Sequence, residues 1–393
     1  MKRFLRRSAK LLLVLAAVLA ALAFTPWGSR VIGAGRLLAD MGMGGASASG
    51  AETNGRDIAA SRGVSRASIS FAYGGRSYEA DLYSAGDEPL AALVLVPGLA
   101  PRGKDDPRLV DLATTFARAR FGVLVPNLPS LMEQRVSPDN VRQIADALGY
   151  FVKEGWHWER RDPPIGVAAI SYAVGPALLA TLEADVRGRV NFAIAVGGYY
   201  DVDAVLTYFT TGYYRNNPNG AWVKGEPNIY GKWLFVRANA GRIVTLRDRI
   251  ILTSIAGRKM DDPAANIGDL VPKLGEEGRS VMRLLDNDDP DKAAQVIARL
   301  PPALLADLRA LDLRNRDLTG LPPNILLLHG RDDRIIPVGQ SEQLAEMLPP
   351  GTAHLYVVEN LGHADLSPGH WRDILILGEA AYKLLSWRDG DLE

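Results

Sequence analysis

Asn324-Ile325-Leu326-Leu327-Leu328-His329-Gly330-Arg331-Asp332-Asp333-Arg334-Ile335-Ile336-Pro337 runs an apolar segment into a charged turn. Ile325 to Leu328 is continuously apolar, as a strand buried on both faces should be. Where that strand ends, His329, Arg331, Asp332 and Asp333 bring an imidazole, a guanidinium and two carboxylates together. Gln340 to Met347 then takes helical spacing, and His354 to Val358 is a further strand. Ligands of open parallel sheets bind beyond the carboxyl ends of the strands. The turn is therefore a place for chemistry if similar strands flank it.

They do. Ala91–Val96, Phe121–Val125, Ile165–Ile170 and Phe192–Val196 are buried-strand runs. Helical patterns at Leu109–Arg120, Asn140–Val152, Ala173–Ala184 and Ile374–Ser386 alternate with them. A hairpin precedes the series: Ile69, Phe71 and Tyr73 alternate, Gly74-Gly75 turns the chain, and Tyr78, Ala80 and Leu82 alternate again. An antiparallel start followed by strand–helix alternation predicts an α/β fold, a mostly parallel sheet with helices on both faces. Strand patterns stop between Asp201 and Thr319. Helix signals replace them, such as Asp289-Pro290 ahead of Lys292 to Leu300. That block is too long for a loop and reads as an inserted helical unit. No internal repeat is present.

The residues just after the buried strands are Pro97-Gly98-Leu99, Ser171, the turn from His329, and Glu359-Asn360-Leu361-Gly362-His363. Three of these places supply a hydroxyl, a carboxylate and an imidazole, in the order Ser, Asp, His. That order and placement resemble the α/β-hydrolase superfamily over roughly residues 68–201 and 318–386. His329 to Pro337 and Leu361-Gly362-His363 carry the resemblance best. It implies an α/β-hydrolase fold in which Asp333, fifth residue of the turn, is the acid of a catalytic triad. Asp332 is its adjacent competitor, and the spacing to Pro337 favours Asp333. It implies His363 as the base. Ser171 would be the nucleophile, in Ala169-Ile170-Ser171-Tyr172-Ala173, where the family pattern G-x-S-x-G has glycine at both alanine positions. The strained turn needs small residues there, and each alanine adds a methyl where strand and helix pass closely.

The chemistry so implied is acyl transfer. Serine is a weak nucleophile until a base takes its proton. His363 would do so, oriented by Asp333. Backbone N–H groups of Leu99 and Tyr172 would meet the oxyanion, since Pro97 has none to offer. His329 would brace the turn. The expected function is a serine hydrolase acting on a carboxylic ester of a small-molecule or lipid-like acyl substrate. An acyltransferase or peptidase would use the same triad. A non-catalytic binding or scaffold protein that kept the fold is the alternative from another class.

Ten aromatic residues lie between Tyr199 and Phe235. In this superfamily such an insertion forms a lid, and Tyr208, Phe209 and Trp222 are its expected contacts to a hydrophobic acyl or aryl group. Alternatively the rings form the lid's own core.

Composition narrows the rest. The 393 residues contain no cysteine, which excludes disulfides, thiolate metal sites, a cysteine nucleophile and a lipoprotein anchor. The five histidines have no metal-ligand spacing, and Asp286-Asn287-Asp288-Asp289 lacks the glycine and distal glutamate of a calcium loop. No glycine-rich phosphate loop opens a helix, so no cofactor and no metal are expected. Forty-five basic residues balance 45 acidic ones, which gives no electrostatic footprint for nucleic acid. Lys2, Arg3, Arg6, Arg7 and Lys10 nevertheless cluster ahead of an apolar run from Leu11 to Phe24. Residues 1–27 therefore read as a signal peptide or a membrane anchor, with the remainder exported, periplasmic or otherwise extracytoplasmic, secreted or held at the membrane. Residues 28–66 read as a flexible linker, 67–200 and 319–393 as the two parts of the core, and 201–318 as the helical lid.

Overall fold

The apolar runs become the strands of an eight-stranded sheet. In the computed structural model, which describes residues 25–47, 59–153, 162–217, 219–359 and 371–392, the first four are β1 (Val64–Tyr73), β2 (Arg76–Ala85), β3 (Ala91–Val96) and β4 (Phe121–Pro126). β5 (Ile165–Ile170), β6 (Phe192–Val196), β7 (Asn324–Gly330) and β8 (Ala353–Val358) complete it. Their spatial order is β1-β2-β4-β3-β5-β6-β7-β8. β1 pairs antiparallel with β2 and β2 with β4, and every later pairing is parallel. Gly74 and Gly75 turn the hairpin with φ of +56° and +77°, a pair of left-handed positions that suits glycine.

Strand alternation sorts side chains into two cores. Val94, Val96, Val167, Ala169 and Leu327 face one side, and Leu93, Leu95, Ala168, Ile194 and Leu326 face the other. Helices α1 (Pro26–Ser47) and α2 (Pro107–Arg118) cover the second side, and α3 (Asp139–Lys153) and α4 (Val174–Ala180) the first. Helix α2 starts where its sequence says it should. Pro107 supplies the first turn, and the Asp106 carboxylate accepts from Arg108 N at 3.0 Å.

Among the described residues between β6 and β7 there are six α-helices: α5 (Val202–Thr211), α6 (Ile229–Asn239), α7 (Leu246–Asp261), α8 (Glu276–Leu285), α9 (Ala293–Ile297) and α10 (Pro302–Leu311). They bury a core of their own around Leu206, Trp233, Ile255, Leu284 and Leu304. After β7 come α11 (Gly339–Met347), on the first face of the sheet, and α12 (Trp371–Asp389), on the second. The insertion is tied down at both ends. Buried Gln340, on α11, accepts through Oε1 from Tyr200 N at 3.0 Å and Asp201 N at 2.8 Å. Asp201 caps α5 through Ala204 N and pairs with Arg314 at 2.7 Å. Asp312, at the exit, accepts from Val202 N at 3.0 Å, and burial holds its pKa above the usual carboxylate range.

One expectation needs correction. The span 28–66 is not a flexible linker throughout: α1 runs to Ser47 and β1 begins at Val64. Helix α1 lies antiparallel along α12. Arg30 pairs with Asp389 at 2.9 Å and with Asp391 at 2.6 Å, and Asp40 with Arg118 at 3.2 Å. A Cβ at Gly33 would come within 2.9 Å of Leu385 Cδ1, and Ala34 and Leu37 are buried. The small residues that resemble linker composition are the ones that let two helices approach. Of residues 1–27, where the signal or anchor was expected, Pro26 and Trp27 open α1, whereas 1–24, like 48–58, lie outside the described residues. Among the described residues no helix is long and apolar enough to cross a membrane.

If α1 belongs to the folded body, Leu37→Ala should cost about 2–4 kcal/mol in urea unfolding, as for other buried leucines. A loss below about 0.5 kcal/mol, the surface-substitution range, would return the segment to a linker.

Candidate active site

That strand order, with its antiparallel start and helices on both faces, is the α/β-hydrolase fold, and its parallel strands end together at one edge. Ile170 is level with Val196, Val196 with Leu328, and Leu328 with Tyr356. Ser171, His329 and the chain after β8 therefore leave the sheet on the same side.

Ser171 has φ of +57°. Of the described non-glycine residues with positive φ, Arg120, Gln134, Asp162 and Ser171, only Ser171 passes directly from a strand into a helical turn. A left-handed backbone costs a side-chain-bearing residue roughly 1–2 kcal/mol and persists only where its surroundings over-determine it. The surroundings here are rigid. Upstream is a central strand. Downstream the 3₁₀ turn Ser171–Ala173 leads into buried α4. Ala169 and Ala173 are 2% and 1% exposed, and Ala169 is level with Val96 on one side and Ala195 on the other. The two alanines thus meet the demand for small residues, and their methyls are packed in the core.

The chain after β3 passes against this elbow. A Cβ on Gly98 would lie 3.2 Å from Ile170 O and 3.4 Å from Ser171 Cβ, so a side chain there would push the two segments apart. The next residue, Leu99, lines a cavity together with Ser171 and Tyr172. Among the described residues, neither Leu99 N–H nor Tyr172 N–H has a hydrogen-bond partner. The Tyr172 hydroxyl accepts from Ser137 N at 3.0 Å, and burial raises its pKa, so the ring is a neutral brace for the elbow.

Asp333 is 5% exposed, whereas Asp332 faces solvent. Its Oδ1 accepts from Ile335 N at 2.8 Å and Ile336 N at 3.0 Å, which fixes the plane of the carboxylate. His329 lies beneath, with Nε2 3.6 Å from Asp333 Oδ2. Its Nε2 is 2.8 Å from the Ile336 carbonyl and its Nδ1 2.7 Å from Ser341 Oγ. A carbonyl only accepts, so Nε2 carries the proton and Nδ1 receives one from the serine hydroxyl. The buried imidazole is a turn brace, as the sequence predicts. His363 lies outside the described residues. Glu359, four residues before it, follows directly on β8 at the same edge.

The cavity beside Ser171 has a volume of about 120 Å³. Val202, Val205 and Phe209 of α5, Phe235 of α6 and Leu308 and Leu311 of α10 wall it from the insertion, and Ile335 and Ile336 from the acid turn. Of the three aromatics expected at the substrate, Phe209 is in the wall. Tyr208 is buried edge-on against Tyr214 and is not part of the lining; burial first, then the Asp333 charge, pushes its pKa up to about 12. Trp222 sits away from the cavity, with Arg215 3.9 Å above its ring and its Nε1 donating to Asp291 at 2.9 Å. The alternative also holds in part, since Trp233 belongs to the insertion's core. Val205, Leu308, Leu311 and Asn239 were not singled out by sequence. The first three show only helical spacing, and nothing in a sequence says which apolar stripe faces a cavity.

No family model and no curated protein matches the chain. Among solved structures it is similar to a 2,6-dihydroxy-pseudo-oxynicotine hydrolase, with 14% identity, a TM-score of 0.44, and 83% of this chain and 68% of that one covered. It is similar to an acylaminoacyl peptidase of Pyrococcus horikoshii, with 11% identity, a TM-score of 0.44, and 86% and 43% covered, so it spans less than half of that chain. For an esterase of Pyrobaculum calidifontis the values are 15%, 0.44, 97% and 99%.

Ser171→Gly and Ser171→Ala both remove the hydroxyl, but only glycine relieves the left-handed backbone. The glycine variant should be the more stable by about 1 kcal/mol in chemical unfolding. Equal stabilities would mean that the turn stores no strain.

Proposed function

We propose that this protein is a serine hydrolase that cleaves a carboxylic ester, with Ser171 as nucleophile, His363 as general base and Asp333 as its orienting acid. The observation that carries the reading is the left-handed Ser171 between two unpartnered N–H groups at the wall of an apolar cavity. Glu359, four residues before His363, follows β8 at the edge from which Ser171 and Asp333 also leave the sheet, and this supports His363 as their partner.

In this mechanism Ser171 Oγ attacks the ester carbonyl as His363 takes its proton. Leu99 N–H and Tyr172 N–H receive the developing oxyanion, and neither has to break another bond first. The tetrahedral intermediate expels the alcohol, protonated by His363, and leaves an acyl-enzyme. Water activated by the same imidazole then releases the acid. Asp333 holds the imidazole in the tautomer that accepts from serine and stabilises it when charged. Its own carboxylate is kept in plane by the Ile335 and Ile336 amides. The insertion acts as a lid. The cavity, at about 120 Å³, is near the volume of engineered apolar cavities that admit benzene, which favours a short acyl or small aryl group. The basic and apolar N-terminal segment supports export, with the segment removed or kept as an anchor.

A fluorophosphonate probe should label the wild-type chain and fail to label Ser171→Ala. An unlabelled wild type would favour the scaffold reading. With p-nitrophenyl butanoate, Asp333→Asn should lower kcat by roughly 10²–10⁴-fold. Across esters of rising chain length, Phe209→Ala should move the optimum to longer acyl groups, and Trp222→Ala should leave it in place. An unmoved optimum in Phe209→Ala would remove the lid from substrate choice.

A further inference from the structure

Helix α1 turns an apolar face to solvent. Its inner side packs on α12, with Ala34 and Leu37 buried. On its outer side Trp27, Val31, Gly35, Ala39 and Gly42 recur every three or four residues, which sets them in one stripe along the helix. All five are exposed, Trp27 to 58%. Ile32 and Arg36 form the adjoining exposed row, and Arg36 is its only charge. The single acid of α1, Asp40, is paired with Arg118.

The stripe continues onto α12. Arg30 pairs with Asp389, a Cβ on Gly33 would meet Leu385, and a Cβ on Gly378 would lie 3.7 Å from Leu38 Cδ1. These contacts fix an antiparallel register that sets Leu375 level with Gly42. Ile374 and Leu375, the latter 63% exposed, therefore carry the face past the far end of the stripe, and exposed Trp371 lies one turn beyond. Trp27 and Trp371 stand near opposite ends of a surface about 30 Å long, the length of some 20 residues of helix. Single exposed apolar residues are ordinary, but a contiguous set over two packed helices marks a surface that meets something apolar.

The chain that enters α1 indicates what it meets. Residues 1–24 carry Lys2, Arg3, Arg6, Arg7 and Lys10 and then the apolar run Leu11 to Phe24, and Trp27 opens the face three residues later. Basic side chains, an apolar run and flanking tryptophans are the chemistry of contact with a lipid surface, whose anionic headgroups attract the cations. Helix α1 does not span. Its inner side carries the Arg30–Asp389 pair, and among the described residues no helix is long and apolar enough to cross a membrane.

We propose that the α1–α12 face lies on the surface of a lipid bilayer, with Trp27, Val31 and Leu375 in the interface and Arg36 among the headgroups. This rests on the membrane reading of residues 1–24 and is independent of the hydrolase chemistry. The insertion takes no part in the described core beneath this face, so docking leaves the lid uncovered.

The chain has no cysteine, so single-cysteine reporters can be placed without a background. Val31→Cys, Leu375→Cys and, on α11 across the sheet, exposed Met347→Cys would each carry an environment-sensitive nitrobenzoxadiazole label in the full chain. Circular dichroism would check the fold, and Ala39→Cys would replace either of the first two should its labelled form not fold. With vesicles of phosphatidylcholine and phosphatidylglycerol, emission at positions 31 and 375 should shift to the blue and rise by roughly twofold or more as the label leaves water for the interface. Emission at 347 should stay unchanged. Vesicle binding in which either 31 or 375 stays in water, or in which 347 responds as strongly, overturns the proposal and leaves residues 1–24 as a bare tether. Absence of vesicle flotation sinks it together with the membrane reading of those residues. A response at 31 and 375 that grows with protein concentration without vesicles assigns the face to a second copy of the chain and overturns it as well.

Discussion

Ser171 keeps a backbone conformation that its side chain disfavours because nothing on either side of it can yield. β5 sits at the centre of the sheet, hydrogen-bonded to β3 and β6, and its residues Gly166 to Ala169 are buried. Strand and helix can meet at so sharp an angle only if the connecting residue is left-handed. The local strain, roughly 1–2 kcal/mol, is small against the burial that enforces it. Other parts of the site follow from that geometry. The sharp turn lifts the serine off the sheet edge and leaves the next N–H, that of Tyr172, outside the 3₁₀ hydrogen-bond ladder. It also brings the chain after β3 close, so that a Cβ at position 98 would crowd Ile170 O and Ser171 Cβ.

The same constraint explains why the acid turn is built as it is. β7 reaches the edge beyond β6, so a carboxylate placed there must be held from below and behind. His329 supplies the support from below, bridging Ser341 and the Ile336 carbonyl. The amides of Ile335 and Ile336 supply it from behind. The two isoleucines then face the cavity, so one short turn orients the carboxylate and furnishes hydrocarbon wall. Asn228 N donates to Arg334 O at 2.6 Å, which ties the start of α6 to this turn. The insertion is thus registered on the acid turn as well as on Gln340.

Much of the sheet was legible because buried parallel strands have a one-dimensional signature. Ala91–Val96, Ile165–Ile170 and Phe192–Val196 match their runs residue for residue. The places of Ser171 and Asp333 just beyond strand ends were legible for the same reason, since they follow from where each run stops. The cavity was not. Its walls come from α5, α6, α10 and the acid turn, segments spread from Val202 to Ile336, and only packing decides which faces converge. Trp222 shows the limit: an aromatic residue in the right segment stacks under Arg215 instead. Helix α1 shows the opposite failure. Its glycines and alanines carry little periodic signal of their own, and they are the residues that let it settle against α12.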